Sequence, residues 1–329
     1  MDNTPLVSIV TPSFNQAPYL EDTIQSVLRQ DYPRIEYLIL DGGSTDGSLE
    51  LIRKYETRLA YWHSKPDQGQ ADAINRGLKR AKGEVVAWLN SDDLYTVGAV
   101  REAVAALTAE PSTAMVYGDG VMVDSKLNLL DPHRYRQLDV VDLLSFEVLL
   151  QPAVFMRKLA LEQVGYLNRD YDLILDHELW VRLAARFQIR HVDRYWALER
   201  THESAKTIAL AREFVAEAHR LMLWAESAEE TKSVVRENER RIQAGLLVFS
   251  ARRLIDAERF GEATRRMFRA LTLHPATAAR YWYKLVQAAL SALGLSSVFM
   301  AYRRGRRRVQ YRGARLRPEL PVSDQLDQL

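Results

Sequence analysis

Three short apolar runs, each closed by a cluster of polar residues, constrain this chain more than any other feature. LVSIVT (6–11) runs into Thr11–Asn15, IEYLIL (35–40) into Asp41–Asp46, and EVVAWL (84–89) into Asn90–Asp93. The runs are rich in aliphatic and β-branched residues and too short for helices, which marks them as buried strands. Between them, 19–30, 48–58 and 70–81 carry apolar residues at helical spacing, as in Leu20, Ile24, Val27 and Leu28, and YWHS (61–64) reads as a further short strand. Strands alternating with helices in this way predict an α/β fold with a parallel, doubly wound sheet. Such sheets bind ligands beyond the carboxyl ends of their strands. All three polar clusters fall at that edge.

Further along, MVYGDGVMV (115–123) reads as a strand with a glycine kink, PAVFM (152–156) as a short strand, 158–164 as the start of a helix, and DHELWVRLAARF (176–187) as an amphipathic helix. From about 208 to 302 the pattern is helical, with glycine sparse and Ala, Arg and Glu frequent. Residues 241–274 resemble one helical hairpin of tetratricopeptide type, but one unit is not an array, and an ordinary α-hairpin packed on the first domain fits the same pattern. The expected domains are therefore 1–205, an α-helical region at 206–302, and a flexible tail at 303–329.

Composition narrows the setting. There are no cysteines, which excludes a disulfide framework and thiolate chemistry and fits a reducing compartment. The N-terminus has no basic segment ahead of its first apolar run, and no stretch reaches the 18 or so uninterrupted apolar residues of a spanning helix, so a cytoplasmic protein is expected. Residues 303–317 carry eight Arg and no acid; taking these from the formal net charge of +2 leaves −6 for the rest. The tail lacks interleaved aromatics beyond Tyr302 and Tyr311, so no nucleic-acid partner is expected.

Two adjacent carboxylates, Asp92 and Asp93, at a strand end are suited to a hard cation, Mn²⁺ or Mg²⁺, with Asp92 as a turn cap the alternative. Four stretches extend this reading: VSIVTPSFNQAPYLEDTIQSVLRQDYP, IEYLILDGGSTDGSLELI, SKPDQGQADAINRGLKRAKGEVVAWLNSDD and LDHELWVRLA. In order and spacing they resemble a family 2 glycosyltransferase of GT-A fold, over about residues 5–205. The resemblance implies a GT-A-type doubly wound mixed sheet, followed here by the α-helical region. It implies a nucleotide-binding surface made of Thr11, Pro12, Ser13, Asn15, Asp41, Gly69, Asp72, Asn75, Ser91 and Asp92, with Asp92 and Asp93 at the metal end of a DXD-type motif. Asp41 would meet the base, or else order its own turn. Gly42 and Gly43 would let the chain pass close to a ligand, and Asp67 and Gly69 suit a tight loop. Asp72 and Asn75 share a helix face, although Asp72 also suits the helix dipole. Three positions depart from the family pattern: Asn90 for Asp, Ile74 for Arg, and Leu175 for Glu.

The last motif implies a general base at Asp176, with Glu178 its rival, since residues two apart on a helix point about 200° apart. His177 is expected beside the site, Gln151 and Pro152 on the acceptor side, and Trp180 in packing. The implied activity is inverting transfer of a sugar from a UDP- or dTDP-linked donor to the hydroxyl of a glycan or lipid-linked acceptor in cell-envelope or exopolysaccharide synthesis. A sugar nucleotidyltransferase would carry a basic GGxGxR loop where this chain has TPSFNQ. A non-catalytic binding module would have little use for so many carboxylates. Residues 285–302 followed by the Arg cluster read as an interfacial helix with a polybasic flank on the inner, anionic membrane face, or as a core helix with a solvated tail.

Overall fold

The computed structural model describes residues 4–201, 210–295 and 314–327. It divides into two compact units: 1–137 with 149–202 and 313–329, and 138–148 with 203–312.

The first unit is built on one mixed sheet. Its strands are β1 (Val7–Ser13), β2 (Ile35–Asp41), β3 (Tyr61–Ser64), β4 (Val85–Trp88), β5 (Leu94–Tyr95), β6 (Thr113–Asp124), β7 (Leu129–His133), β8 (Val154–Arg157) and β9 (Gln188–Thr201), in the order β3-β2-β1-β4-β8-β6-β9-β5, with β7 on β6. The helices between them are α1 (Ala17–Leu28), α2 (Ser48–Lys54), α3 (Gln70–Arg80), α4 (Ala99–Ala109), α6 (Lys158–Val164) and α7 (Leu175–Arg186); α5 (Val140–Leu144) belongs to the second unit.

The first four strands are parallel, as the alternation predicts. Beyond them the sheet is not: β8 runs antiparallel to both β4 and β6, and β9 runs parallel to β6. The mixed sheet is the one the family resemblance implies. Strand β9, at 14 residues the longest, is absent from the sequence reading, because charged residues interrupt it and only part of it is buried. Pro132 hides β7 in the same way; among the described strands β7 pairs with β6 alone, and an edge tolerates a residue that cannot donate to the ladder. The glycine kink is real. The β6–β9 register shifts on both sides of Asp119, and a side chain at Gly118 would strike the Trp196 ring.

Alternate strand residues feed two faces. Val7, Ile9, Tyr37, Val85, Phe155 and Trp196 join Ile24 of α1 and Val100 of α4 in one core. On the other face α3 lies so close that a Cβ at Gly77 would collide with Val10 and Leu40. Residues 314–327 belong to this unit: Leu129 donates to the Ala314 carbonyl and Leu316 to that of Leu127, both at 2.9 Å.

The second unit contains α5, α8 (Ala211–Ser227), α9 (Lys232–Glu237), α10 (Glu239–Asp256), α11 (Phe260–Leu273), α12 (Pro275–Ala279) and α13 (Trp282–Ala292). The predicted hairpin is α10 and α11, whose facing residues Ala244, Val248, Ala251, Ala263, Met267 and Ala270 form a core of small side chains. Residues 138–148 join through a Phe146–Phe249 ring contact at 4.8 Å and an Asp142–Arg241 ion pair. Residues 303–313 of the Arg cluster and the end of the proposed interfacial helix, 296–302, lie outside the described residues.

Candidate functional site

The carboxyl ends of β1, β2 and β4 bring the predicted polar residues to one edge. After β1, Thr11 is buried, with its hydroxyl 3.0 Å from that of Tyr37, whose own ionisation burial pushes up. Pro12 and Ser13 pair with Leu40 and Asp41 across the strands. Ser13 Oγ is buried without a partner among the described residues. Asn15 takes a left-handed backbone (φ 51°), accepts from the Thr45 amide at 2.9 Å and donates its own amide to Ser44 Oγ at 2.8 Å. It therefore ties the first loop to the second. Phe14 beside it is 60% exposed, an aromatic face at the edge that the sequence reading does not single out.

Asp41 is fully buried and serves its own turn. Oδ2 accepts from the amides of Gly43 at 3.0 Å and Ser44 at 2.9 Å and from Ser64 Oγ at 2.6 Å; Oδ1 accepts from Ser44 Oγ. These bonds order the turn that follows β2. Gly42 is close to protein, with a Cβ there falling 2.9 Å from Asp67 Oδ2.

The third loop is similarly self-supporting. Gly69 (φ 102°) donates to Asp67 Oδ1 at 2.8 Å and opens α3. Asp72 and Asn75 do share a buried face. Asp72 meets Arg76 at 2.7 Å and Arg169 at 3.8 Å, while Asn75 exchanges two hydrogen bonds with the Leu167 backbone. The pair anchors the segment before α7.

At the end of β4 the two adjacent carboxylates part company. Asp93 is buried; Oδ1 accepts the Arg200 amide at 3.0 Å, Oδ2 accepts from Asn90 Nδ2 at 3.3 Å, and its carbonyl accepts from Thr23 Oγ1 at 2.8 Å. Burial first, then the charges of Asp92 and Glu199, hold its carboxyl well above the usual carboxylate range. Ser91 is buried, Asn90 accepts from Gln70 Nε2 at 2.8 Å, and Asp92 is half-exposed. Among the described residues no cluster of three or more His, Cys, Asp or Glu would enclose a metal on its own. Mg²⁺ characteristically takes one or two carboxylates and completes its shell with water and substrate phosphates, and Asp92 fits that partial role.

On α7, Asp176 is half-exposed in the first turn. Glu178 is buried and held at 2.8 Å by both Nε and Nη2 of Arg182. Arg182 also donates to the carbonyls of Val164, Gly165 and Tyr166. His177 and Leu175 are buried. Trp180 packs, stacked on Trp88 with ring centroids 5.1 Å apart. Gln151, just before Pro152, donates Nε2 to the Trp88 carbonyl at 2.9 Å and leaves Oε1 buried without a partner among the described residues.

Comparisons with known proteins point the same way. Residues 8–162 match the family model described as glycosyl transferase family 2. The chain is 33% identical over 190 residues to an uncharacterized glycosyltransferase of Mycobacterium tuberculosis, covering 56% of this chain and 71% of that protein. It is 45% identical over 94 residues to the putative teichuronic acid biosynthesis glycosyltransferase TuaG of Bacillus subtilis, covering 28% of this chain and 37% of that one. Among solved structures, S. aureus TarS 1–349 in complex with UDP-GlcNAc superposes with a TM-score of 0.53 at 16% identity, over 84% of this chain and 92% of that chain. A Pyrobaculum calidifontis mannosyltransferase in complex with GDP-Man and Mn²⁺ superposes with a TM-score of 0.59 at 20% identity, over 90% and 88%. At such identities the likeness is one of fold.

Proposed function

This chain belongs to glycosyl transferase family 2 and has a GT-A fold, and on that premise we propose that it catalyses inverting transfer of a sugar from a nucleoside diphosphate to an acceptor hydroxyl, with Asp176 as general base and Asp92 as the metal-holding carboxylate. The observation that carries the assignment is how the edge sorts its carboxylates. Asp41, Asp72, Asp93 and Glu178 are buried, whereas Asp92 and Asp176 are half-exposed and so within reach of a ligand.

Asp176 takes the proton of the acceptor hydroxyl as that oxygen attacks the anomeric carbon; a carboxylate placed for this makes a poor nucleophile adequate. A single in-line displacement inverts the configuration. Asp92 would hold Mn²⁺ or Mg²⁺, which when bound supplies positive charge against the departing diphosphate. Asp93, turned inward onto Arg200 and Asn90, fixes the loop that presents Asp92. Loops one and two, knitted by Asn15 and Ser44, would take the nucleoside, with Phe14 offering an apolar face to the base.

The donor class is supported by the nucleotide-sugar complexes of the two structural neighbours, and we assign the base as uracil or thymine. A glycan or lipid-linked acceptor of the cell envelope is supported by the teichuronic acid relative. Among the described residues no helix is long and apolar enough to cross a membrane. Residence on the cytoplasmic face, with peripheral contact to anionic lipid, is the reading we adopt. The test is a donor hydrolysis and transfer screen over UDP-, dTDP- and GDP-sugars with and without Mn²⁺. Turnover should need the metal and vanish in Asp92→Asn; undiminished turnover in that variant would sink the metal assignment.

A further inference from the structure

Arg200, the last residue but one of β9, carries a buried charge that the described residues meet only in part. Its side chain is 1% exposed. Nη2 donates to Asp22 Oδ2 at 2.9 Å, and the guanidinium carbon stands 4.7 Å over the Tyr19 ring. Nε and Nη1 are buried and have no partner among the described residues. Asp22 is 55% exposed, so water shares its charge. A buried guanidinium with two of its three nitrogens unpaired carries a penalty that folded proteins tolerate where a ligand completes the set.

Strand directions decide which ligand is near. Because β8 is antiparallel to both β4 and β6, and β9 is parallel to β6, β9 ends at the same edge as β4. There the Arg200 amide holds Asp93, one residue from Asp92. Tyr19 and Asp22 come from the first two turns of α1, whose Thr23 hydroxyl holds the Asp93 carbonyl. Arg200 thus adjoins the loop assigned to the metal and the donor, through its amide on Asp93 and through side-chain partners on α1.

We propose that Arg200 is a diphosphate-binding residue, its Nε and Nη1 receiving phosphate oxygens of the nucleotide sugar. The inference rests on the glycosyltransferase reading. As the acceptor oxygen bonds to the anomeric carbon, the bond from that carbon to the phosphate oxygen breaks. Its electron pair stays on the diphosphate, and the acceptor proton passes to Asp176. Arg200 then faces the added negative charge where water is excluded and a fixed cation has most effect. A bound water would satisfy its N–H groups but not its charge.

The experiment compares binding of UDP and uridine, GDP and guanosine, and dTDP and thymidine to the full chain, each with excess Mn²⁺, by calorimetry or displacement. For whichever base binds, Arg200→Gln should weaken the diphosphate by about tenfold or more and leave the nucleoside unchanged, the loss expected of charge-assisted hydrogen bonds. Arg200→Lys keeps the charge without the Nε and Nη1 donors and should fall between. Asp22→Asn should bind diphosphate as the wild type does. Unchanged diphosphate affinity in Arg200→Gln, or equal weakening of nucleoside and diphosphate, would show Arg200 to be only a brace and overturn the proposal. So would Asp22→Asn matching its loss. Should Arg200→Gln not fold, a folded Arg200→Lys with wild-type diphosphate affinity overturns it equally. A wild type that binds none of the diphosphates overturns the donor reading along with this one, whereas wild-type binding with an indifferent variant overturns this one alone.

Discussion

Replacing Asp176 by Asn should leave nucleoside diphosphate affinity intact and lower transfer by about 10²–10⁴-fold, because a general base matters only once the acceptor proton is moving. Replacing Glu178 by Gln should do the reverse. It breaks a buried, doubly hydrogen-bonded pair with Arg182, so stability should fall by about 3–5 kcal/mol while activity per folded molecule survives. Urea unfolding and single-turnover transfer on both variants check the pair of outcomes, and a dead, stable Glu178→Gln would move the base assignment to Glu178. Residue type alone does not separate these two carboxylates. The Glu178–Arg182 spacing of four was nonetheless visible in the sequence, and it marks a helix-surface pair. What the sequence did not carry is that Arg182 also gathers three carbonyls of the preceding loop, which makes the pair a clamp. Arg200 was still less legible, since its meaning depends on a strand whose charges disguise it as loop.

At the scale of elements, the strands read well because short apolar runs leave few alternatives. The loops read well only as places. Polar residues at strand ends were identifiable, but whether they face a ligand or each other depends on partners far along the chain: Asn75 with Leu167, Asp93 with Arg200. Asp46 is a loop residue whose partners give a measurable consequence. Burial alone would raise its pKa, but hydrogen bonds from the Ser48 hydroxyl and the amides of Ala17 and Ser48 outweigh it and bring the pKa below the usual value. A depressed folded pKa stabilises the protein above the unfolded carboxylate value of about 3.9 and is lost as pH falls through the lower folded value. Stability should therefore decline in that acid window, and Asp46→Asn should flatten this part of the decline. Urea midpoints measured from about pH 5 downwards test it; parallel curves for the two proteins would remove Asp46 from the acid response. Gly77→Ala tests the packing of α3, because its new Cβ would strike Val10 and Leu40. A loss of about 1–3 kcal/mol is expected from forced overpacking, read from the same urea curves.

At the scale of the whole molecule, the proposed membrane contact can be tested against apolar exposure in the helical unit and against the charge of the sequence that follows it. In the helical unit α13 exposes Trp282, Tyr283 and Val286, and Leu293 and Leu295 just beyond it are exposed as well; α11 exposes Phe268 and Leu271. In the sequence five Arg at 303, 304, 306, 307 and 308 follow. Aromatic and aliphatic side chains ahead of a basic run match a lipid interface with anionic headgroups, where each Arg near the surface contributes about 1 kcal/mol. The pattern was legible in the sequence as apolar residues before arginines. Which of those residues are exposed was not, since a core-facing helix shows the same composition. Liposome flotation should recover the full chain on anionic vesicles and not on neutral ones, with recovery falling as salt is raised. Truncation would be a poor control, because residues 314–327 pair with the β6–β7 turn and would be lost with it. Changing those five Arg to Gln should abolish recovery on anionic vesicles, and Trp282→Glu should weaken it without altering the net charge of the tail. Equal recovery on neutral vesicles, or recovery indifferent to the Arg changes, would rule out electrostatic docking and leave the exposed apolar residues of α13 to be explained by a protein partner.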